Sequence, residues 1–304
     1  DFSGSSVALA GDGHVLAVGA YGNDGERAVG SNVGHVLVYA FYEGRWVQIG
    51  GDIDGENREG FFGRSVSTSF DGKRLAVGAT YHESNGSASG AAFIYEFSDR
   101  WRKVGAFYGV EDAGIFGSAV ALSSDGSRVV VGSFHCHERE DTCAQAQVYD
   151  DSEARGVWRQ VGADITEHVE GDLSLTSIAM SGDGSTIALG SHHIDGRGQN
   201  TDFVRVYSYV THFGWRQIGD PVDSEAEGYH SGVSVALNYD GDILVLGSHS
   251  EDTIKGQIHL LPYTQGLDHT PQASQQQKKT TSAPTHPPTK TTLRTPTPTP
   301  SPAA

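Results

Sequence analysis

A chain of 304 residues is long enough for one large domain or two, and a formal net charge of −17 excludes nucleic acid and anionic lipid as partners, because both are held by clustered Lys and Arg. No run of 18 apolar residues occurs, so no segment is expected to insert into a membrane as a helix.

Residues 5–20, SSVALAGDGHVLAVGA, set two short alternating apolar stretches on either side of Asp12-Gly13. Alternation of this kind predicts two strands, and Gly after Asp closes a tight hairpin between them. The same phrase returns at 64–79, 119–133, 176–191 and 233–248, with its Asp-Gly pairs starting at Asp71, Asp125, Asp183 and Asp240, a period of 54 to 59 residues. A third strand follows in each copy: 35–41, 92–97, 146–150, 204–209 and 258–263. A fourth is marked by tryptophan at 45–50, 100–105, 157–162 and 214–219. Helical periodicity is nearly absent.

Repeated four-stranded antiparallel units predict an all-β fold, a β-propeller, over residues 1–269, in preference to an open solenoid or a sandwich. The repeats run at about 1–60, 61–115, 116–172, 173–229 and 230–269. Small residues (Ala8, Gly19, Gly78, Ala121, Gly132, Gly190, Gly247) suit the crowded strands near the axis, and Trp46, Trp101, Trp158 and Trp215 suit the wider rim. The fifth copy has no tryptophan strand, and Asp1 stands in register with Asp172, so the closing strand is expected upstream of Asp1. Two counts stay open: a five-bladed ring with an incomplete last blade, or five blades of seven. Residues 270–304 hold ten Thr, eight Pro and no acid, which predicts a disordered, O-glycosylated stalk or a plain linker.

The pairs Phe62-Gly63 and Phe116-Gly117, followed by LAVGA (75–79) and VVVGS (129–133), resemble the FG-GAP repeats of the integrin α-subunit amino-terminal propeller. With its WxQxGxDI ending (Trp46 to Ile53, Trp158 to Ile165), the whole unit is most similar to repeat-rich surface propellers of diatoms and related algae. That resemblance implies an extracellular or cell-surface adhesion module. It does not carry over calcium sites in the hairpins, because Asp12, Asp71, Asp125 and Asp183 stand alone and Ca²⁺ takes 6–8 oxygen ligands.

In an antiparallel blade, the connections from strand two to three and from strand four to the next strand one leave the same end. The first set holds ten acids and four bases, including Asp24, Glu83, Asp195 and Asp252; the second holds fourteen acids, including Asp54, Glu56, Glu111, Asp112, Glu167, Glu170, Asp223 and Glu225, and the single base Arg58. One face is therefore expected to carry nearly all the charge and to be the ligand-binding face, attracting divalent cations such as Ca²⁺ or basic partners. Solvation of a surface protein is the plainer use of such charge.

His135, His137, His192, His193 and His249 crowd the connections after the Gly-Ala or Gly-Ser pairs. Convergence near the axis would let them share a Zn²⁺ or Cu²⁺, although no fixed ligand spacing is present. Cys136 and Cys143 bracket one connection and read as a disulfide in an oxidising compartment, or as metal ligands beside His135 and His137. Asn85 heads an N-glycosylation sequon.

Catalysis is not expected. The innermost strands (SVAL, SVST, AVAL, SIAM, SVAL) hold no acid, and a glycoside hydrolase would have to use loop carboxylates such as Asp24, Asp195 and Asp252. The expected function is recognition or adhesion at the cell surface or in the extracellular matrix, with a protein or glycan partner, no firmly implied cofactor and no nucleic acid. The alternatives are a glycan-processing hydrolase and a structural scaffold.

Overall fold

The computed structural model describes residues 1–25, 31–84, 89–109, 115–136, 142–168, 173–193, 203–223, 229–250 and 256–263, and contains strands but no helix among them. Five antiparallel sheets follow one another along the chain, and the fold is a β-propeller. Blade one holds β1 (Ser6–Leu9), β2 (Val15–Ala20), β3 (His35–Tyr42), β4 (Arg45–Gln48) and β5 (Ile53–Asp54). Blade two holds β6 (Phe62–Thr68), β7 (Arg74–Ala79), β8 (Ala91–Phe97) and β9 (Trp101–Tyr108). In blade three are β10 (Ala119–Leu122), β11 (Arg128–Cys136), β12 (Thr142–Asp150), β13 (Arg159–Gln160) and β14 (Ile165–His168). Blade four comprises β15 (Leu173–Met180), β16 (Thr186–His193), β17 (Phe203–Val210) and β18 (Gly214–Asp223), and blade five β19 (Tyr229–Leu237), β20 (Ile243–Ser250) and β21 (Gly256–Pro262).

Each Asp-Gly pair turns strand one into strand two, with its Gly in the left-handed region (φ 75°, 66°, 70°, 70° and 70° at Gly13, Gly72, Gly126, Gly184 and Gly241). In blades one to four the Asp is the staple of that turn. Asp125 Oδ1 accepts from the Ser127 backbone N–H at 2.9 Å and from the Ser123 hydroxyl at 2.7 Å, and Asp71 and Asp183 repeat the pattern. These carboxylates thus serve the backbone, which is why they stand singly.

The sheets stack through four buried clusters, one between each successive pair. Val36, Val38 and Ile53 of blade one meet Phe62, Leu75, Val77 and Phe93 of blade two, and Ala179, Ala188, Val204 and Val206 of blade four meet Leu244 and Leu246 of blade five. The clusters between blades two and three and between blades three and four are built alike. The second strand of one blade lies close against the lead-in to the first strand of the next: a Cβ at Gly78 on β7 would lie 2.0 Å from the carbonyl oxygen of Gly117, so only glycine fits there. At the rim three of the four tryptophans clasp the blade before their own. Nε1 of Trp101, Trp158 and Trp215 donates to the carbonyls of Ile49 (3.2 Å), Val104 (3.2 Å) and Val161 (2.9 Å).

The strands run further than the sequence pattern suggests. After Gly50 and Gly162, which take φ of 72° and 76°, Ile53 and Ile165 return to the sheet, because each offers an apolar side chain to the inter-blade core. Asp54 therefore lies on β5, Glu167 on β14 and Asp223 at the end of β18, on strands where loops are expected. His135, His192, His193 and His249 likewise lie on β11, β16 and β20, which stay paired beyond the Gly-Ser pair. Cys136 and Cys143 are directly opposed partners of β11 and β12, again on strands.

Candidate functional site

In blades one and two the connections expected to share one end meet there. Asn57 Nδ2, after β5, donates to the Glu83 carbonyl of the next blade at 3.4 Å; the Ser31 hydroxyl donates to Glu59 Oε1 at 3.2 Å; and Asp54 stands opposite His35 in the β3–β5 register. The connection after β2 is held by Asp24 Oδ1, which accepts from the Asn32 N–H at 3.0 Å, and by Asn23 Oδ1, which accepts from the Gly25 N–H at 2.7 Å. Gln48 Nε2 donates to Asp52 Oδ1 at 2.7 Å.

These contacts shape a cavity of about 240 Å³ lined by Asp1, Asn23, Asp24, Gly25, His35, Asp52 and Asp54. Acidic residues of the chain start, of the β2–β3 connection and of the β4–β5 segment thus line one space. Among the described residues no group of three or more His, Cys, Asp or Glu is set closely enough to hold a metal ion directly. The cavity suits a ligand that spreads its positive charge, or a hydrated cation, better than a bare one.

Beside it, Glu56 pairs with Lys103 at 2.5 Å and Glu83 is exposed. His82, in the connection after β7, is a buried histidine. It is 7% exposed, its ring lies 5.2 Å from Phe93 and 5.8 Å from Tyr108, and neither ring nitrogen has a partner. Burial holds its pKa below the ordinary value, with Lys103 adding to the effect against Glu56 and Glu83. Burial likewise raises the Tyr149 phenol to about 12, with Asp164 in support.

Of the other residues the sequence singled out, Asp195, Asp252, Glu111, Asp112, Glu170, Glu225, His137 and Asn85 lie outside the described residues. For Glu167, Asp223, His135, His192, His193, His249, Cys136 and Cys143 the structure describes the backbone alone.

The sequence reading missed a row of aromatic rings along this face. Phe2 stacks on Tyr21 (centroids 5.2 Å apart, 6° between planes), Tyr21 meets Phe61 edge-on at 5.7 Å, and Phe61 meets Tyr81 at 5.3 Å. The Arg64 guanidinium lies over Tyr21, 5.4 Å from its centroid. The available signal was the aromatic Phe61 directly before the Phe-Gly pair, echoed by Phe2 before Ser3-Gly4.

A family model for the FG-GAP repeat matches residues 54–95, from β5 into β8. A comparison with curated protein sequences finds no match. Among solved structures, hydrazine synthase of Kuenenia stuttgartiensis is similar at 18% identity with a TM-score of 0.55, covering 83% of this chain and 63% of that one. The periplasmic gluconolactonase PpgL of Pseudomonas aeruginosa is similar at 19% identity with a TM-score of 0.53, covering 84% and 67%. The chain spans about two thirds of the length of each, and at such identities the likeness is one of fold.

Proposed function

We propose that this chain is a non-catalytic recognition module of the cell surface or extracellular space, which holds a cationic ligand, a divalent ion or a basic protein segment, on its acidic loop face. The observation that carries the reading is the cavity lined by Asp1, Asp24, Asp52 and Asp54, which three separate segments of the chain supply. A shared negative field draws positive charge and speeds encounter. The FG-GAP match over residues 54–95 supports the same reading, since such repeats are found in extracellular adhesion proteins. So does the direct opposition of Cys136 and Cys143 on β11 and β12, because paired cross-strand positions lie within the Cα span of a disulfide, a bond of oxidising compartments.

Titration calorimetry tests the reading, with CaCl₂ and separately with a decalysine peptide, at low and at physiological salt. Binding that weakens as salt rises and is lost in the D24N/D52N/D54N variant is the expected result. Affinity unchanged in that variant, or no binding of either probe, overturns it.

A further inference from the structure

Apolar rings on a soluble surface usually find cover, yet Phe2 is 66% and Tyr81 40% exposed at the two ends of the row. Their supply is systematic. Phe2 and Phe61 occupy equivalent places two residues before Gly4 and Gly63, and both are held in the left-handed backbone region at φ 51° and 50°. Ile115 repeats the feature in blade three at φ 44°. Each closes the same turn: the Ser5, Arg64 and Ser118 N–H groups donate to the Phe2, Phe61 and Ile115 carbonyls at 3.1, 3.1 and 3.2 Å. Side-chain-bearing residues rarely adopt this conformation, so each of these turns is strained. In blades one and two the strained turn sets a phenylalanine ring in a row at the loop face, where Tyr21, directly after β2, and Tyr81, just after β7, complete it.

The charges beside the rings select the occupant. Arg64 is exposed and already covers one face of Tyr21, so a cationic ligand stacked on the row would meet a like charge. An anionic ligand would meet the acidic connections and a chain of net charge −17. What remains is an uncharged molecule with flat apolar faces for the rings, hydroxyls that donate to the exposed Glu59 carboxylate, and oxygens that accept from Arg64. Neutral sugars have this chemistry. Tyr21 is covered by Phe2 and Arg64, and Phe61 stands edge-on to Tyr21 and to Tyr81, so the exposed rings of Phe2 and Tyr81 offer the contact while the two rings between them fix their spacing, a span longer than one pyranose. We propose that the exposed rings of Phe2 and Tyr81, spaced by Tyr21 and Phe61 and with Arg64 and Glu59 beside the row, form a two-point stacking platform for a neutral oligosaccharide. The proposal rests on the loop face being the recognition face, and adds a second ligand class next to the acidic cavity.

The test is calorimetric titration of the whole chain with cellohexaose, laminarihexaose and mannohexaose. At least one should bind, with an affinity that does not change between low and physiological salt. Phe2→Ala and Tyr81→Ala should each weaken it about tenfold, the effect of one lost ring contact, and the D24N/D52N/D54N variant should keep it. Thermal melts establish that the ring variants are folded. Failure of all three sugars to bind overturns the platform, as does binding that survives in the folded F2A/Y81A double variant or falls with the acids instead of the rings. Decalysine binding without sugar binding overturns this proposal alone; loss of both overturns the recognition reading too.

Discussion

Buried polar residues decide much of what this protein does as pH changes. Arg74 is 1% exposed and reaches from β7 into blade three, where its two terminal nitrogens grip both Asp151 oxygens at 2.9 and 2.8 Å while Nη1 also donates to the Gly126 carbonyl. Glu96 and Arg155 extend the network outward. Removing one member leaves the other charge buried, so Arg74→Ala should cost about 3–5 kcal/mol in urea unfolding. The R74M/D151L pair should recover most of it, and a double variant as unstable as the single would disprove the pairing argument. His82 acts in the opposite sense. Burial first, then Lys103, keeps its folded pKa below the ordinary 6.5, so the unfolded chain binds the proton more readily. Stability is then full above pH 6.5 and declines as pH falls from there toward the lowered folded value. The His82→Phe variant should hold its Tm over that window, and a wild-type curve parallel to it would sink the assignment. At lower pH the hairpin aspartates follow. Burial raises the pKa of Asp125, but the Ser127 N–H and the Ser123 and Ser127 hydroxyls outweigh it, leaving the value below 3.8, as at Asp71 and Asp183. Their contribution is present above pH 3.8 and is lost as pH drops through those lowered values.

At the scale of strands, the inter-blade clasp of tryptophan is the most regular contact in the fold. Trp158 donates its indole N–H to Val104 and packs edge-on against Phe107 at 5.6 Å, with Arg74 over its ring at 5.6 Å. Trp158→Phe keeps an aromatic ring but strands the Val104 carbonyl, and should cost about 1–3 kcal/mol; a change under roughly 0.5 kcal/mol in the denaturation midpoint analysis would show the clasp to be incidental. These elements were legible in the sequence because each is fixed by local chemistry repeated in register: Asp-Gly for the hairpin, alternation for the strands, tryptophan for the outer edge. Strand ends were less legible. The continuation of β5 and β14 after a glycine depends on Ile53 and Ile165 finding a neighbouring sheet, which no local pattern records. The site was half legible for the same reason. Charge counted along the chain placed Asp24, Asp54, Glu56 and Glu83 at one end, since alternating strand direction is a topological rule. The burial of His82, the grip of Arg74 on a residue 77 positions away, and the aromatic row spanning two blades all depend on contacts between repeats.

Across the whole molecule, each blade has two faces, and four inter-blade clusters fill the faces between neighbours. The outward faces of the first and fifth blades carry the same residue types in the open: Val7 is 62% and Leu9 57% exposed on β1, and Ile258 is 58% and Leu260 62% exposed on β21. At equivalent places inside the stack, Val204 and Val206 of β17 are 0% exposed. The apolar pattern that specifies an inter-blade face is thus written into every copy, and neighbours determine whether it contributes. Stability should therefore be unequal for chemically identical changes. Leu75→Ala, in the cluster between blades one and two, empties a fully buried site and should cost about 2–5 kcal/mol. Leu260→Ala removes the same atoms from a side chain already in water and should change stability by no more than about 0.5 kcal/mol in this chain. The same logic extends to charge: Val206→Asp should abolish the cooperative transition, while Leu260→Asp should leave the melting curve near the wild type. If Leu260→Asp unfolds the chain as Val206→Asp does, the β21 face is covered in solution and the packing of the fifth blade against its surroundings must be redrawn.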